Sequence, residues 1–390
     1  MPDYFVRPCD VLFFRGNKSF HFGEWYSEGI FPPYPSTFQG FVRTKILFDK
    51  DLIDALGNAP KAEEEVGNDT ELKVDITGPY LMDNKINTFY FKTPADILKR
   101  KCEDTYYYSV LGFLKEDNIL EGDLEFNLSC PDFPPGKLDN LYPPDLISLD
   151  ELLKYRTSLE DIPVSEKNIV VTEDRAGIGL DFEKIKAKNN RGVQEGRFYV
   201  TPYNRPKSNI GFYFNVSKDI KNGTLKLGSE SHLVYVQDIK SNNLLEGKLK
   251  ASRTKLIEGI LKTKTFRLIL LQPGVFKNGW FPFDYTVNGK KLIVKSHNIE
   301  FELLFAFNGA PVKISGYSYA KNTTSLRQGD VKLKSTINAV PAGAVYLFKI
   351  INGSENDIKT FVEDFDNKKI LYEHYSTMGF NHTILGIGPG

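Results

Sequence analysis

Hydrophobic residues along the chain fall mostly in short runs between polar and glycine- or proline-rich stretches, a pattern typical of strands. In the first half, these runs predict strands at 10–15, 74–80, 87–92, 197–216 (two strands, broken at Pro206) and 225–236. In the second half, they predict strands at 266–272, 301–307, 312–319 and 345–350. Because short helices are expected between several of these runs, the order indicates two α+β units.

The segment 31–47, FPPYPSTFQGFVRTKIL, predicts a helix with a defined start. Ser36 is expected to be the N-cap, and Gln39, three residues later, would complete a capping box. One apolar stripe is formed at helical spacing by Phe38, Val42 and Ile46. Arg43 lies off this stripe, near free amides and the positive end of the helix dipole. The arrangement suits an anion such as phosphate, and the alternative is a core helix whose Arg43 is only solvated.

Polar residues at helix starts predict further helices. Ser148 with Glu151 forms a second capping pattern, and Ser354 is expected to open a helix near the C-terminus. Another short helix is expected at 94–101, whereas the acidic stretch 63–69 is expected to be a surface insertion.

Length and charge limit the possible functions. A chain of 390 residues favours two domains, and its net charge of zero excludes a general binder of polyanions. The charges are nevertheless segregated. Residues 49–75 carry a net charge of −6, whereas the net charges of 171–207, 248–267 and 311–334 are +3, +6 and +4. Each basic stretch is either a binding surface or simply solvated.

Motifs for catalysis or cofactor binding are not evident in the sequence. The five histidines have no metal-binding spacing, and neither a GxSxG motif nor a phosphate-binding glycine loop is present. We therefore expect no active site, no metal and no cofactor. His21 and Tyr26 could supply acid–base chemistry to RNA cleavage, although a packed or surface histidine is the alternative. The N-terminus does not resemble a signal peptide and apolar runs are short, so we expect a cytoplasmic, soluble protein.

The segment 175–203 has the composition of a long hairpin that could contact a polymer. Its centre, 184–191, is polar and basic between glycines. Phe198, Tyr199 and Tyr203 stand beside Arg197 and Arg205. Cations for phosphates and flat rings for bases are the chemistry of single-stranded RNA binding, and the alternative is an ordinary exposed hairpin.

These segments together resemble the third subunit of the Cmr effector complex, the type III-B CRISPR interference machine, within the RAMP superfamily. The resemblance is carried in order by CDVLFFRGNKSFHFGEW, FPPYPSTFQGFVRTKIL, DRAGIGLD, QEGRFYVTPY, PGVFKNGWFP, SGYSYA, STINAVPAGAVYLFK and LGIGPG. It covers most of the chain, but not the acidic region 49–75 or the proline-rich loop near Asp132.

The resemblance implies tandem ferredoxin-like domains at 1–240 and 241–390, with a β-hairpin thumb at about 172–203. It implies a non-catalytic subunit that holds the 5′ tag of the CRISPR RNA and docks the large polymerase/cyclase-like subunit. Neighbouring RAMP backbone subunits would be further partners, target RNA would be met indirectly, and no membrane is involved. The residues implied to contact RNA are Ser36, Thr37, Gln39, Arg43, Arg175, Arg191, Arg197, Tyr203, Arg205, Lys334, Thr336, Gly386 and Gly388. Two alternatives remain open, a RAMP endoribonuclease that processes precursor RNA and a scaffold that contacts only proteins.

Overall fold

The computed structural model describes residues 1–16, 29–53, 60–102, 105–110, 112–113, 119–120, 125–129, 131–132, 145–160, 162, 166–180, 193–319 and 331–390. Within these ranges the chain forms seven α-helices and a larger number of antiparallel strands. The helices are α1 (Pro35–Asp49), α2 (Pro60–Val66), α3 (Leu149–Thr157), α4 (Leu244–Lys250), α5 (Arg253–Thr263), α6 (Glu355–Phe365) and α7 (Glu373–Met378). None of the helices in the described ranges has the length and apolar character needed to cross a membrane.

The first half of the chain builds one seven-stranded sheet. Its strands, numbered along the whole chain, are β1 (Pro2–Pro8), β2 (Ile76–Asp83), β3 (Thr88–Lys92), β10 (Leu146–Ser148), β13 (Ile210–Val216), β14 (Gly223–Lys226) and β15 (Leu233–Asn242). They lie in the order β10-β3-β2-β13-β1-β15-β14, and each neighbouring pair is antiparallel.

The second half builds a second seven-stranded sheet. Its strands are β16 (Thr265–Leu270), β17 (Thr286–Asn288), β18 (Lys291–Ser296), β19 (Ile299–Phe307), β24 (Val345–Asn352), β25 (Lys368–Lys369) and β26 (His382–Ile387). Their order is β17-β18-β19-β24-β16-β26-β25, again with antiparallel neighbours.

The remaining described strands form two-stranded ladders. These are β4 (Ile97–Cys102) with β5 (Thr105–Val110), β6 (Gly112–Phe113) with β9 (Pro131–Asp132), β7 (Ile119–Leu120) with β8 (Leu128–Ser129), β11 (Val170–Leu180) with β12 (Val193–Pro206), β20 (Val312–Ile314) with β23 (Ile337–Ala339), and β21 (Tyr317–Tyr319) with β22 (Val331–Leu333). The β11–β12 ladder is the longest of them and carries several of the arginines singled out above.

The two large sheets pack against each other through their inner faces. Successive residues of a strand point to opposite faces, so Tyr4 lies in the core beneath α1, whereas Phe5 lies in a different cluster. That second cluster also holds Tyr213 of the first sheet and Ile269 and Ile384 of the second. The outer face of the second sheet is covered by apolar residues of α5 and α6. Both sheets are therefore buried on both faces.

The prediction of a mixed α and β protein is confirmed, and the tandem ferredoxin-like arrangement stays a prediction. Ser148 and Ser354 are N-caps with capping boxes, as expected from the sequence. The helix expected at 94–101 is wrong, because 97–102 is a strand paired with β5. The acidic stretch 63–69 includes the end of α2.

The predicted capping box at the start of α1 is also wrong. The helix begins at Pro35, and Tyr34 is its N-cap with an extended backbone, so Ser36 lies inside the first turn. Proline suits the first helical position, since its φ is already helical and its missing N–H has no partner to lose there. Gln39 does not turn back to cap the helix, because its buried side-chain amide donates to the Val74 carbonyl at 2.8 Å.

Candidate nucleic-acid interface

Helix α1 places Arg43 at the edge of the first core. Phe38, Val42 and Ile46 are almost completely buried beneath the helix, which fixes the direction in which Arg43 leaves it. The Arg43 guanidinium donates to the carbonyl of Gly67 at 2.7 Å. Burial lowers the pKa of Arg43 from its ordinary value. Arg43 is therefore half-buried and bonded to the chain, rather than directed at solvent.

Lys334 reaches the same loop from the second half of the chain. Its ammonium group lies 2.9 Å from a carboxylate oxygen of Asp69, two residues after the carbonyl that Arg43 contacts. Thr336 is exposed nearby in sequence, and Ser36 and Thr37 lie in the first turn of α1. The structure thus brings Arg43 and Lys334 to one loop, and both meet acceptors of the protein itself.

Further cations bind the same acidic region, which we call the acidic segment (residues 60–75). Glu65 accepts from Lys50 at 2.5 Å and from Lys218 at 3.2 Å. Asp75 at the end of the segment pairs with Lys369. Carboxylates therefore neutralise much of the positive charge on this side of the molecule.

The β11–β12 hairpin presents a second group of the expected residues. The ladder runs without interruption from the pair Val170–Pro206 to the pair Ile178–Phe198. At the end of the ladder where β11 begins and β12 ends, Asn204 forms a β-bridge with Leu12. Arg205, the next residue, pairs with Asp10 at 2.8 Å. This end of the hairpin is therefore anchored to the first half of the chain.

Two arginines, a tyrosine and a carboxylate meet at that anchored end. The Arg175 guanidinium lies 4.8 Å from the centre of the Tyr203 ring and 3.3 Å from Glu173. Arg205 also bonds Glu173, which holds the two guanidinium groups on one carboxylate. The side chains of Arg175 and Arg205 remain 43% exposed. They are fixed in place yet accessible to an anion.

Tyr203 itself does not offer a free ring. Only 5% of it is exposed, because it packs against Phe13 at 5.6 Å between ring centres and lies under Arg175. Its hydroxyl donates to Glu230, and burial together with that carboxylate raises the pKa of Tyr203. The Tyr203 ring is therefore occupied by contacts within the protein, and its contact with RNA stays a prediction. Arg191 and the side chain of Arg197 lie outside the described part of the chain.

The C-terminal glycines do not form an open loop. Gly386 lies in β26, and both it and Gly388 are buried. A Cβ atom at Gly386 would lie 3.4 Å from Cα of Arg156, and one at Gly388 would lie 2.7 Å from the Thr265 hydroxyl. The close approach that these glycines permit in this structure is to the protein itself, and their approach to RNA stays a prediction.

The structure also shows a buried ionic network that the sequence did not indicate. Asp366 accepts from Arg156 at 2.6 Å and from Arg253 at 3.1 Å, and the Arg156 and Asp366 side chains are fully buried. A second carboxylate, Asp96, accepts from Arg267 at 2.8 Å. Helix α3 and the residue Asp96 belong to the first half, so both pairs join the two halves. No local sequence pattern predicts ion pairs between residues this far apart in the chain.

A cleft of about 650 Å³ lies between the two halves, and the sequence did not indicate it either. Its walls come from 92–98 of the first half and from 308–310 and 341–344 of the second. The lining is mainly alanine, glycine, proline and aliphatic, with Lys92 at one side. Lys92 pairs with the highly exposed Asp145 at 2.7 Å.

The fold and these surfaces define a mixed α/β protein of two facing antiparallel sheets, with a hairpin that holds exposed arginines. A family model described as "CRISPR-associated protein (Cas_Cmr3)" matches residues 4–387. The chain therefore belongs to this family of CRISPR-associated proteins.

Solved structures with a similar chain come from type III-B complexes. A chain in "Cryo-EM structure of the Type III-B Cmr-beta bound to cognate target RNA" is 13% identical, with a TM-score of 0.45, over 98% of this chain and 96% of that one. A chain in the structure of the same complex "bound to cognate target RNA and AMPPnP, state 1" is 14% identical, with a TM-score of 0.43, over 93% and 88%. No curated protein matches the chain.

Proposed function

We propose that the chain is a non-catalytic subunit of a type III-B CRISPR RNA-guided complex that holds the 5′ tag of the CRISPR RNA. In this proposal it also docks the large polymerase/cyclase-like subunit, contacts neighbouring RAMP subunits and meets target RNA indirectly. Family membership supports the assignment to a CRISPR complex. The observation that carries RNA binding is the pair of exposed, anchored guanidinium groups at the base of the β11–β12 hairpin.

The chemistry of this pair suits phosphate. Arg175 and Arg205 share Glu173, so their guanidinium groups are oriented before any ligand arrives, which reduces the entropy lost on binding. The Arg175 guanidinium also packs on the face of the Tyr203 ring. A guanidinium can donate two parallel hydrogen bonds to a phosphate. Arg175 has the donors for this because it gives one hydrogen bond to Glu173, whereas Arg205 already donates to Glu173 and Asp10 and adds mainly positive charge. Phosphate contacts of this kind position RNA without reading its sequence.

The order of the central strands supports tandem ferredoxin-like domains. In that fold the four strands of a βαββαβ unit lie in the order 4-1-3-2. The first sheet contains the run β15-β1-β13-β2, and the second contains β26-β16-β24-β19. Numbered within each half, both runs give 4-1-3-2. The expected boundary between residues 240 and 241 lies inside β15, two residues before this strand ends at Asn242, and α4 begins at Leu244.

RNA crosslinking with mass spectrometry, on the complex purified through this chain, tests the proposal. We expect tag crosslinks at Arg175, Arg205 and neighbouring hairpin residues, and recovery of the large subunit. Arg175→Gln should weaken tag binding about fivefold at 0.1 M salt, because one phosphate contact to single-stranded RNA is lost. Full tag affinity in an assembled Arg175→Gln complex would contradict this assignment.

A scaffold that contacts only proteins is the second candidate, favoured by one observation. Arg43 and Lys334, both expected at RNA, already bind Gly67 and Asp69. A scaffold predicts a complex that contains guide RNA but gives no crosslink to this chain. Cleaved repeat RNA produced by the isolated chain would instead identify a processing endoribonuclease, whose proposed residues His21 and Tyr26 lie outside the described residues.

A further inference from the structure

Helices α4 and α5 are fixed to the protein by one side only. Leu245 and Leu249 of α4 are buried between the sheets, and Leu256 and Ile260 of α5 are buried on the second sheet. Gly259 lets α5 approach β26 closely, since a Cβ atom there would lie 2.1 Å from the side chain of Ile387. The helices are therefore held rigidly, with their opposite side open to solvent.

The open side carries cations that the protein does not neutralise. Of the seven basic residues in 248–267, only Arg253 and Arg267 form ion pairs, with Asp366 and Asp96. Within the described residues, the other five make no ion pair or side-chain hydrogen bond, and all are exposed except the half-exposed Lys248. We call them the lysine face: Lys248, Lys250, Lys255, Lys262 and Lys264.

The lysine face differs sharply from the cations that the sequence singled out. Arg43 is bonded to a carbonyl, and Lys334 is paired with a carboxylate. Around the lysine face the only acidic residues of α4 and α5 are Glu246 and Glu258. Five lysines against these two glutamates leave a net charge of +3. A net positive charge of this kind attracts a polyanion, because each neutralised phosphate releases a condensed counterion.

We infer that the lysine face binds RNA phosphates, as a contact separate from the arginine pair at the hairpin. The inference rests on the proposed function, since it assumes that the chain binds RNA. Lys255 and Lys262 are seven residues apart in α5, so they project from the same side of the helix, about 10 Å apart along its axis. Two lysines at that separation contact different phosphates of one strand.

RNA fits this face better than an acidic protein does. Protein interfaces depend on a few buried aromatic or aliphatic anchors, and the described residues of α4 and α5 include no large exposed hydrophobic side chain. Lysine binds phosphate as a mobile point charge and does not require a shaped pocket. The face therefore provides attraction without sequence readout.

Binding of a short fluorescein-labelled poly(U) RNA to the full chain tests this inference across a salt series. The variant Lys250→Gln, Lys255→Gln, Lys262→Gln removes three charges from the face, and glutamine is nearly as good a helix former as lysine. The matched control Lys277→Gln, Lys291→Gln, Lys295→Gln removes three exposed lysines that are paired with Asp284, Glu302 and Glu300. We expect the log–log salt slope to become shallower by about 2 in the test variant only.

Each other outcome has a distinct meaning. A wild-type chain without affinity for poly(U) contradicts the proposed RNA binding as a whole. A wild-type chain that binds, with a test variant of unchanged slope, contradicts the lysine face alone. Equal losses in the test and control variants would show a general charge effect and also overturn it. Competition by poly-glutamate as strong as by unlabelled poly(U) would replace RNA with an acidic protein partner.

Discussion

Removing the charge of Asp366 should strongly destabilise the contact between the two halves of the protein. This carboxylate accepts from Arg156 at 2.6 Å, from Arg253 at 3.1 Å and from the Leu385 amide at 3.2 Å. In Asp366→Asn the fully buried Arg156 keeps its charge without a compensating anion. Breaking a buried pair in this way costs about 3–5 kcal/mol of unfolding free energy, because one charge stays desolvated.

The assay is equilibrium urea denaturation of the full chain, with the midpoint and slope fitted for each variant. Asp366→Asn should lower the midpoint, and the double variant with Arg156→Met should recover part of the loss, since the buried unpaired charge is then absent. Lys277→Gln breaks an exposed pair with Asp284 and should leave the midpoint unchanged. A loss below about 1 kcal/mol in Asp366→Asn, or no recovery in the double variant, would refute this reasoning.

Two further predictions follow from buried and paired charges. Burial lowers the pKa of His382 to about 3, so between that pH and about 6.5 the unfolded chain binds more protons, and stability falls as the pH falls. From pH 7 to pH 5 the free energy of unfolding, measured by urea denaturation, should fall by about 2 kcal/mol. The variant His382→Asn should remove most of this fall. An unchanged pH dependence in the variant would contradict the prediction. Separately, Glu65→Gln with Asp69→Asn removes the carboxylate partners of Lys50 and Lys334, whereas Lys218 still donates to the carbonyl of residue 65. Poly(U) affinity at 0.1 M salt should therefore rise up to about fivefold for each of Lys50 and Lys334 that contacts a phosphate. Unchanged affinity in a folded double variant would show that these lysines do not contact RNA.

Local chemistry explains which helix starts the sequence could predict. The Ser148 and Ser354 caps were predicted correctly, because a capping box depends on residues three positions apart. At α1 two local signals competed. Pro35 occupied the first helical position, and Ser36 could then no longer act as the cap. At 94–101 the neighbouring strand β5 decided the structure, and no local pattern reports such a partner.

The candidate site depended still more on distant partners. Arg43 was expected beside the start of α1, but it lies in the middle of this helix, which begins at Pro35, and its half-burial depends on the contact with Gly67. Tyr203 stands in an aromatic and basic stretch, yet residues as distant as Phe13 and Glu230 bury it. Gly386 was expected to be in a loop and instead permits close packing on α3. Sequence indicates which residues are chemically able to bind RNA, whereas the fold decides which of them are already occupied.

A net charge of zero is compatible with RNA binding because the protein neutralises its cations unevenly. Carboxylates of the acidic segment neutralise cations around α1. Buried carboxylates form ion pairs with Arg156, Arg253 and Arg267. Attraction at distances beyond about 10 Å is screened at physiological salt, so distant carboxylates do little to weaken the lysine face or the Arg175–Arg205 pair. In the proposed function, the rigid arginine pair would orient one phosphate, and the lysine face would hold another part of the same RNA loosely. A variant that lacks only the lysine face should therefore bind RNA more weakly while keeping the crosslinks at Arg175 and Arg205.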